Sequence, residues 1–308
     1  MQLGLNKHDN GVLLCSPDGK VFKVADHDFP FDLSDIYPEG TTLVDASRLN
    51  EKAVLRPVGA YDLVNKTGFV SLVLGKDTAA SMCNLLRIVV AARRRQMPNL
   101  KRLVLLADGG GANASNSITW KDELAKLSKE LKLEIEVLHY SPGSSKSNPA
   151  EHLLWSYISI HTRGKPYYNI ETVLKYMNET TTITGLEVFC WFDPEKYLTN
   201  EEKIAQGLQV TTGDELAETL NGRIVHAFGD DTDLYKWHCL ILPERETEAV
   251  LEARRLELLP DSEAELLAGD IAAAKVVIEK KEAEKKIKKA AQKAARQATR
   301  DLGAAQAA

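Results

Sequence analysis

The sequence predicts an α/β protein built on a mixed sheet with flanking helices, and three observations carry that reading. Leu103 to Ala107 is a short, wholly apolar run of strand length, as in a sheet covered on both faces, and in the stretch that follows Trp120, Leu124, Leu127 and Leu131 share one face of a helix. The alternation then repeats, with a strand at 133–139 and a helix from Pro149, which implies parallel pairing through right-handed crossovers. Two hairpin patterns upstream supply antiparallel strands.

The elements follow in order. Residues 11–24 (GVLLCSPDGKVFKV) read as a hairpin with Ser16-Pro17-Asp18-Gly19 as its turn. Residues 25–57 mix Pro, Gly, Asp and Glu and read as irregular surface structure. Val58 to Leu63 and Phe69 to Leu74 form a second hairpin around Asn65-Lys66-Thr67-Gly68. Asp77-Thr78 should cap a helix reaching about Arg95, because Leu85, Leu86, Val89 and Val90 repeat at helical spacing. Ser117 is placed to cap the Trp120 helix. Beyond it, 170–178 reads as helix, Leu186 to Phe192 as strand, and Pro243 to about Leu259 as helix broken by Pro260. This order fits a mixed sheet of the ribonuclease H-like type. The expected division is an N-terminal hairpin and irregular segment at 1–57, the ribonuclease H-like domain at 58–243, and a helical, basic tail at 244–308.

With 308 residues and 44% hydrophobic content, the chain can bury one good-sized core plus appendages. Its net charge is −5, unevenly spread: Lys275 to Arg300 holds eight Lys and two Arg against three Glu, a net of +7, which leaves the remainder at −12. An acidic body does not exclude DNA binding, since local patches decide that, and the basic tail is suited to phosphates through counterion release. A solvated helical extension accounts for the tail equally simply. Four scattered cysteines without a C-x-x-C pair read as reduced thiols. No signal-peptide core and no membrane-spanning apolar run stand out, so the expectation is a cytoplasmic protein.

Two acids draw attention. Asp108 follows the apolar strand and enters Gly109-Gly110-Gly111, where the backbone can turn sharply and let a large ligand approach. Glu151 lies in the first turn of the helix opened by Asn148-Pro149-Ala150. An acid at a strand end and another at a helix start can bring carboxylates to metal ions in phosphoryl transfer. Each also has a plain reading: Asp108 closes a tight turn, and Asn148, Pro149 and Glu151 make a capping box. Lys146, Asn148 and His152 are candidate DNA contacts, with solvated or structural roles as the alternative. His139 could shape the site, and Trp155 reads as core.

Together these segments resemble the Rhodopirellula-type DDE transposase domain, a relative of the mariner-like transposases. The resemblance rests on ADGGGANAS at 107–115, on Pro142-Gly143, Ser145-Lys146 and Asn148 through His152, on Arg163-Gly164-Lys165-Pro166, and on TTTITGLEV at 180–188. Gly59 to Leu63 and His27-Asp28-Phe29 fit as well, and Tyr235-Lys236-Trp237 is similar to the family's C-terminal ending. The resemblance implies a ribonuclease H-like fold and three acids that hold two Mg²⁺ or Mn²⁺ ions. It implies cleavage of transposon ends and strand transfer into target DNA, with a homo-oligomer among the expected assemblies. By resemblance, Asp108 is the second acid and Glu151 the third.

The sequence departs from that pattern. The family's first acid lies well before the His-Asp-Phe segment, so here it should precede Met1 or lie very near it; Asp9 and Asp18 read as loop and turn residues, and Asp62 matches another position. The N-terminal helix-turn-helix region is missing, Ser147 replaces a Trp, 31–57 carries extra sequence, and the stretch beyond 243 lies outside the family core. The expectation is an N-terminally shortened DDE transposase lacking its first acid, with little strand-transfer activity. The alternatives are a non-catalytic DNA-binding or regulatory relic and a ribonuclease H-like nuclease with another role.

Overall fold

The structure, a computed structural model, describes residues 11–19, 55–108, 110–140, 148–165, 170–227 and 238–258. The chain divides into two compact units, Met1–Leu258 and Leu259–Ala308, and the described residues all belong to the first. The expected strand at 20–24, the irregular stretch at 25–54, Lys146 and the basic tail beyond 258 lie outside them.

Among the described residues, eight strands form one mixed sheet in the order β6-β3-β2-β1-β4-β5-β8-β7. Strand β1 (Val12–Gly19) is central, antiparallel to β2 (Leu55–Asp62) and parallel to β4 (Arg102–Ala107). β2 turns into antiparallel β3 (Thr67–Leu74), and β4 pairs in parallel with β5 (Glu134–His139). This 3-2-1-4-5 core is of the ribonuclease H-like type. β6 (Glu187–Lys196) adds in parallel beside β3, while β8 (His238–Ile241) and β7 (Ile224–His226) extend the other edge.

One sequence reading is corrected here. Ser16 to Gly19 is not a hairpin turn but the C-terminal half of β1, and β2 begins at Leu55, inside the stretch read as irregular. Pairing with β2 outweighs the turn preference of Ser-Pro-Asp-Gly: Ser16, Pro17, Asp18 and Gly19 oppose Tyr61, Ala60, Gly59 and Val58.

Side-chain alternation divides the sheet into two faces. On one face Leu13, Cys15, Val58, Ala60, Leu103, Leu105 and Ala107 pack under α1 (Ala79–Arg94) and α2 (Ile118–Leu131). Both helices begin as their sequences demand: Thr78 and Ser81 form a capping box, and the Ser117 hydroxyl accepts from Trp120 N–H. Trp120, Leu124 and Leu127 are buried, as their spacing requires. The other face carries Tyr61, Val70 and Leu72 and is covered by the helix after β5 and by α4 (Ile170–Asn178). β4 is not equally covered on its two faces: Val104 and Leu106 are only half-buried. Two short helices, α5 (Asn200–Ala205) and α6 (Gly213–Leu220), precede β7, and α7 (Glu248–Leu258) packs on it through Leu251 and Leu258.

Asp62 and Arg93 form a buried ion pair that pins α1 to the end of β2. Arg93 Nε donates to Asp62 Oδ2 at 2.6 Å, and the two side chains are 8% and 0% exposed. Asp62 also accepts from the backbone N–H groups of Val64 and Asn65, and Arg93 lies 5.2 Å from the Phe69 ring centroid. Asp62 points to the α1 face, with Val58 and Ala60. Asp62→Ala leaves a buried guanidinium without its anion and is expected to cost about 3–5 kcal/mol, measured by urea denaturation.

Candidate functional site

The acids singled out by the sequence lie toward the second face of the sheet. The parallel register of β1 and β4 aligns Val12 with Arg102 through Cys15 with Leu105. The β1–β4 pairing ends at Cys15 and Leu105; carried on three residues, the same register directs Asp18 toward Asp108, which follows the last residue of β4. Their parity is opposite to that of Cys15 and Leu105, which face α1 and α2, so both point to the face that carries Tyr61 and Trp155. Both are half-buried.

Asp108 is held by the turn that follows it. Gly110 N–H donates to Asp108 Oδ1 at 3.1 Å. Gly111 takes φ +59°, a conformation that favours glycine, and opens a short 3₁₀ turn, Gly111–Asn113. With its amide assigned from the hydrogen-bond network, Asn113 donates to Asp108 Oδ1 at 3.1 Å and to the Gly110 carbonyl. At the end of β5, His139 Nε2–H donates to the Asn113 carbonyl at 2.9 Å. His139 therefore braces the loop that carries Asp108, the site-shaping role open to it from sequence. The turn-closing reading of Asp108 is also realised, and it leaves Oδ2 on the same carboxylate.

Glu151 sits where the helix after β5 begins. Asn148 is the N-cap, its Oδ1 accepting from Ala150 N–H at 3.0 Å, and Pro149 takes the first helical position. Residues Glu151–Trp155 form a π turn, closed by Ser156 N–H bonding to the Glu151 carbonyl, which runs into α3 (Ser156–Thr162). Such turns are rare and frequent at functional sites. The turn is seated deeply because two glycines yield room: a Cβ at Gly59 would lie 2.5 Å from Trp155 Cζ2, and one at Gly68 would lie 2.3 Å from Leu154 Cδ1. Gly59 is the cross-strand partner of Asp18, so the Trp155 ring lies over the strand pair that carries the first of these acids.

Sequence reasoning missed Asp18, which Ser-Pro-Asp-Gly disguised as a turn. The available signal was the apolar run from Val12 to Cys15 just ahead of it. Asn148 is 1% exposed, and its amide is directed inward to Ser16 and Asp18. His152 is exposed beside Glu151. Among the described residues, no group of three or more His, Cys, Asp or Glu side chains is close enough to hold a metal ion. The structure directs Asp18 and the helix that carries Glu151 to the same face of the sheet without gathering the three acids. No described helix is long and apolar enough to cross a membrane.

The remaining chemistry is quiet. Burial pushes the Cys15 and Cys83 thiols up and Cys239 up to about 11, so these cysteines are inert as well as unbridged. A cavity of about 970 Å³ between α6, β7 and α7, lined by Leu216, Leu220 and Leu251 among others, contains none of the acids discussed here.

A central antiparallel meander continued by parallel β4 and β5 defines a ribonuclease H-like domain. The sequence matches the Rhodopirellula transposase DDE domain over residues 46–219, more than half of the chain, and the protein belongs to that family. No curated protein matches it. Among solved structures, a chain of the Mos1 mariner paired end complex with Mn is similar at 17% identity and a TM-score of 0.37. The similarity covers 54% of this chain and 47% of that one, so this protein spans about half the length of that chain.

Gly59→Ala places a methyl group where the Trp155 ring lies. It is expected to cost about 1–3 kcal/mol and to shift the tryptophan emission, read together in one urea titration.

Proposed function

We propose that this chain is a metal-dependent DDE transposase domain whose acids are Asp18, Asp108 and Glu151. The observation that carries the reading is the parallel register of β1 with β4, which, continued past Cys15 and Leu105, directs Asp18 toward Asp108 on the face covered by the Glu151 helix. In this reading Asp18 fills the position expected to precede Met1, and the domain is not missing its first acid.

The donor set suits a hard divalent cation, Mg²⁺ or Mn²⁺, because all three groups are carboxylates and Asp18 and Asp108 are half-buried at strand ends. When bound, such cations activate the attacking oxygen and stabilise the leaving one in an in-line phosphoryl displacement. The chain's own part is positional. Gly110 and Asn113 hold one oxygen of Asp108 and leave the other available. The Trp155 and Leu154 contacts with Gly59 and Gly68 fix the height of the Glu151 turn above the sheet. Exposed His152 stands at the rim, where a phosphodiester would pass. The substrate is DNA: transposon ends for cleavage and target DNA for joining.

Purified full-length chain should nick DNA bearing its transposon ends when Mn²⁺ is supplied. Asp18→Asn, Asp108→Asn and Glu151→Gln should each lower that rate by about 10³-fold, the scale of losing one transition-state-stabilising group, with little change in melting temperature. Cleavage that survives Asp108→Ala sinks the site. DNA binding without cleavage by the wild type favours the non-catalytic reading.

A further inference from the structure

Asn148 makes three hydrogen bonds from a position that is 1% exposed. Its Oδ1 accepts from Ala150 N–H at 3.0 Å and from Ser16 Oγ–H at 2.9 Å, and its Nδ2 donates to Asp18 Oδ2 at 3.2 Å. The amide can face only this way. A backbone N–H can only donate, so the atom opposite Ala150 must be the oxygen, and the nitrogen is left to Asp18. Ser16 is itself fully buried, and its hydroxyl also lies 3.0 Å from the Leu106 carbonyl on β4. One side chain thus touches the first turn of the Glu151 helix, strand β1 and the Asp18 carboxylate, and through Ser16 reaches the strand that delivers Asp108.

We propose that Asn148 is a positioning residue for the carboxylate site, tying Asp18 to the helix that carries Glu151 so that the two acids keep one separation. The proposal rests on the metal-site reading of Asp18, Asp108 and Glu151. The chemistry suits the task. A neutral amide orients a carboxylate without adding a positive charge that would compete with a cation, as Lys or Arg would. A capping role alone requires only the Ala150 bond; the Ser16 and Asp18 bonds go beyond it.

Two variants separate positioning from folding. Asn148→Asp is nearly isosteric and keeps both acceptor arms, but it exchanges the donor facing Asp18 for an acceptor. Asn148→Ser keeps a good N-cap and is too short to reach Asp18. The measurement is Mn²⁺ affinity of the full chain, from the free Mn²⁺ signal in electron paramagnetic resonance, beside the melting temperature without metal. Each folded variant is expected to bind Mn²⁺ about tenfold more weakly than wild type, as for loss of a partner that orients a metal ligand. The Asn148→Asp result is discriminating, because an added negative charge would by itself tighten cation binding. Wild-type or tighter affinity in either folded variant overturns the proposal, and so does failure of both to fold, which would make Asn148 a structural residue only. Asp108→Asn is the control: if the wild type binds no Mn²⁺, or binding is unchanged in Asp108→Asn, the metal-site reading itself fails.

Discussion

The architecture depends on β1 being paired on both sides. Val12–Gly19 is the strand at which the antiparallel meander meets the parallel half of the sheet, and it has no exposed edge along Cys15 to Gly19 on the β2 side or along Val12 to Cys15 on the β4 side. Without it, β2 and β4 would each present an unpaired edge in the middle of the domain. The same strand carries Ser16 and Asp18 to the face where the helix after β5 lands.

The two faces of the sheet do different work. The α1 and α2 face is a conventional apolar core, locked at one corner by the Asp62–Arg93 pair, whose burial demands that both partners be present. The opposite face trades side-chain volume for closeness. Glycines at 59 and 68 leave space into which Trp155 and Leu154 descend, and both are fully buried. A helix seated that low can bring its first turn, with Asn148 and Glu151, near the strand ends. The π turn at Glu151–Trp155 lies in the same segment, where local helix geometry and packing both bear on the acid's position.

Much of the fold was legible because it rests on local rules. Thr78 and Ser117 cap the helices their sequences mark, the Trp120 stripe is buried, the β2–β3 hairpin forms, and β4 and β5 pair in parallel as the strand-helix-strand alternation requires. Asp108 and Glu151 stood out for the same reason, since each sits at an element boundary that composition reveals. Asp18 did not. Ser-Pro-Asp-Gly has strong turn chemistry, and what overrides it is pairing with β2, about 40 residues later, which no local window contains. Asn148 was read as a helix N-cap and a candidate DNA contact; its capping bond to Ala150 is local, whereas its bond with Ser16, 132 residues away in sequence, is set only by the tertiary fold.

By itself, the sequence determined the class of fold, the helices with their caps, the family resemblance and two of the three proposed acids, because periodicity, capping and motif spacing are properties of neighbouring residues. The tertiary structure decided which strand lies at the centre of the sheet, that Asp18 extends that strand rather than closing a turn, and that Asn148 hydrogen-bonds both Asp18 and the first turn of the Glu151 helix. Those outcomes depend on hydrogen bonds and packing between segments far apart in the chain, whose pairing and register are settled only when the whole sheet closes around them.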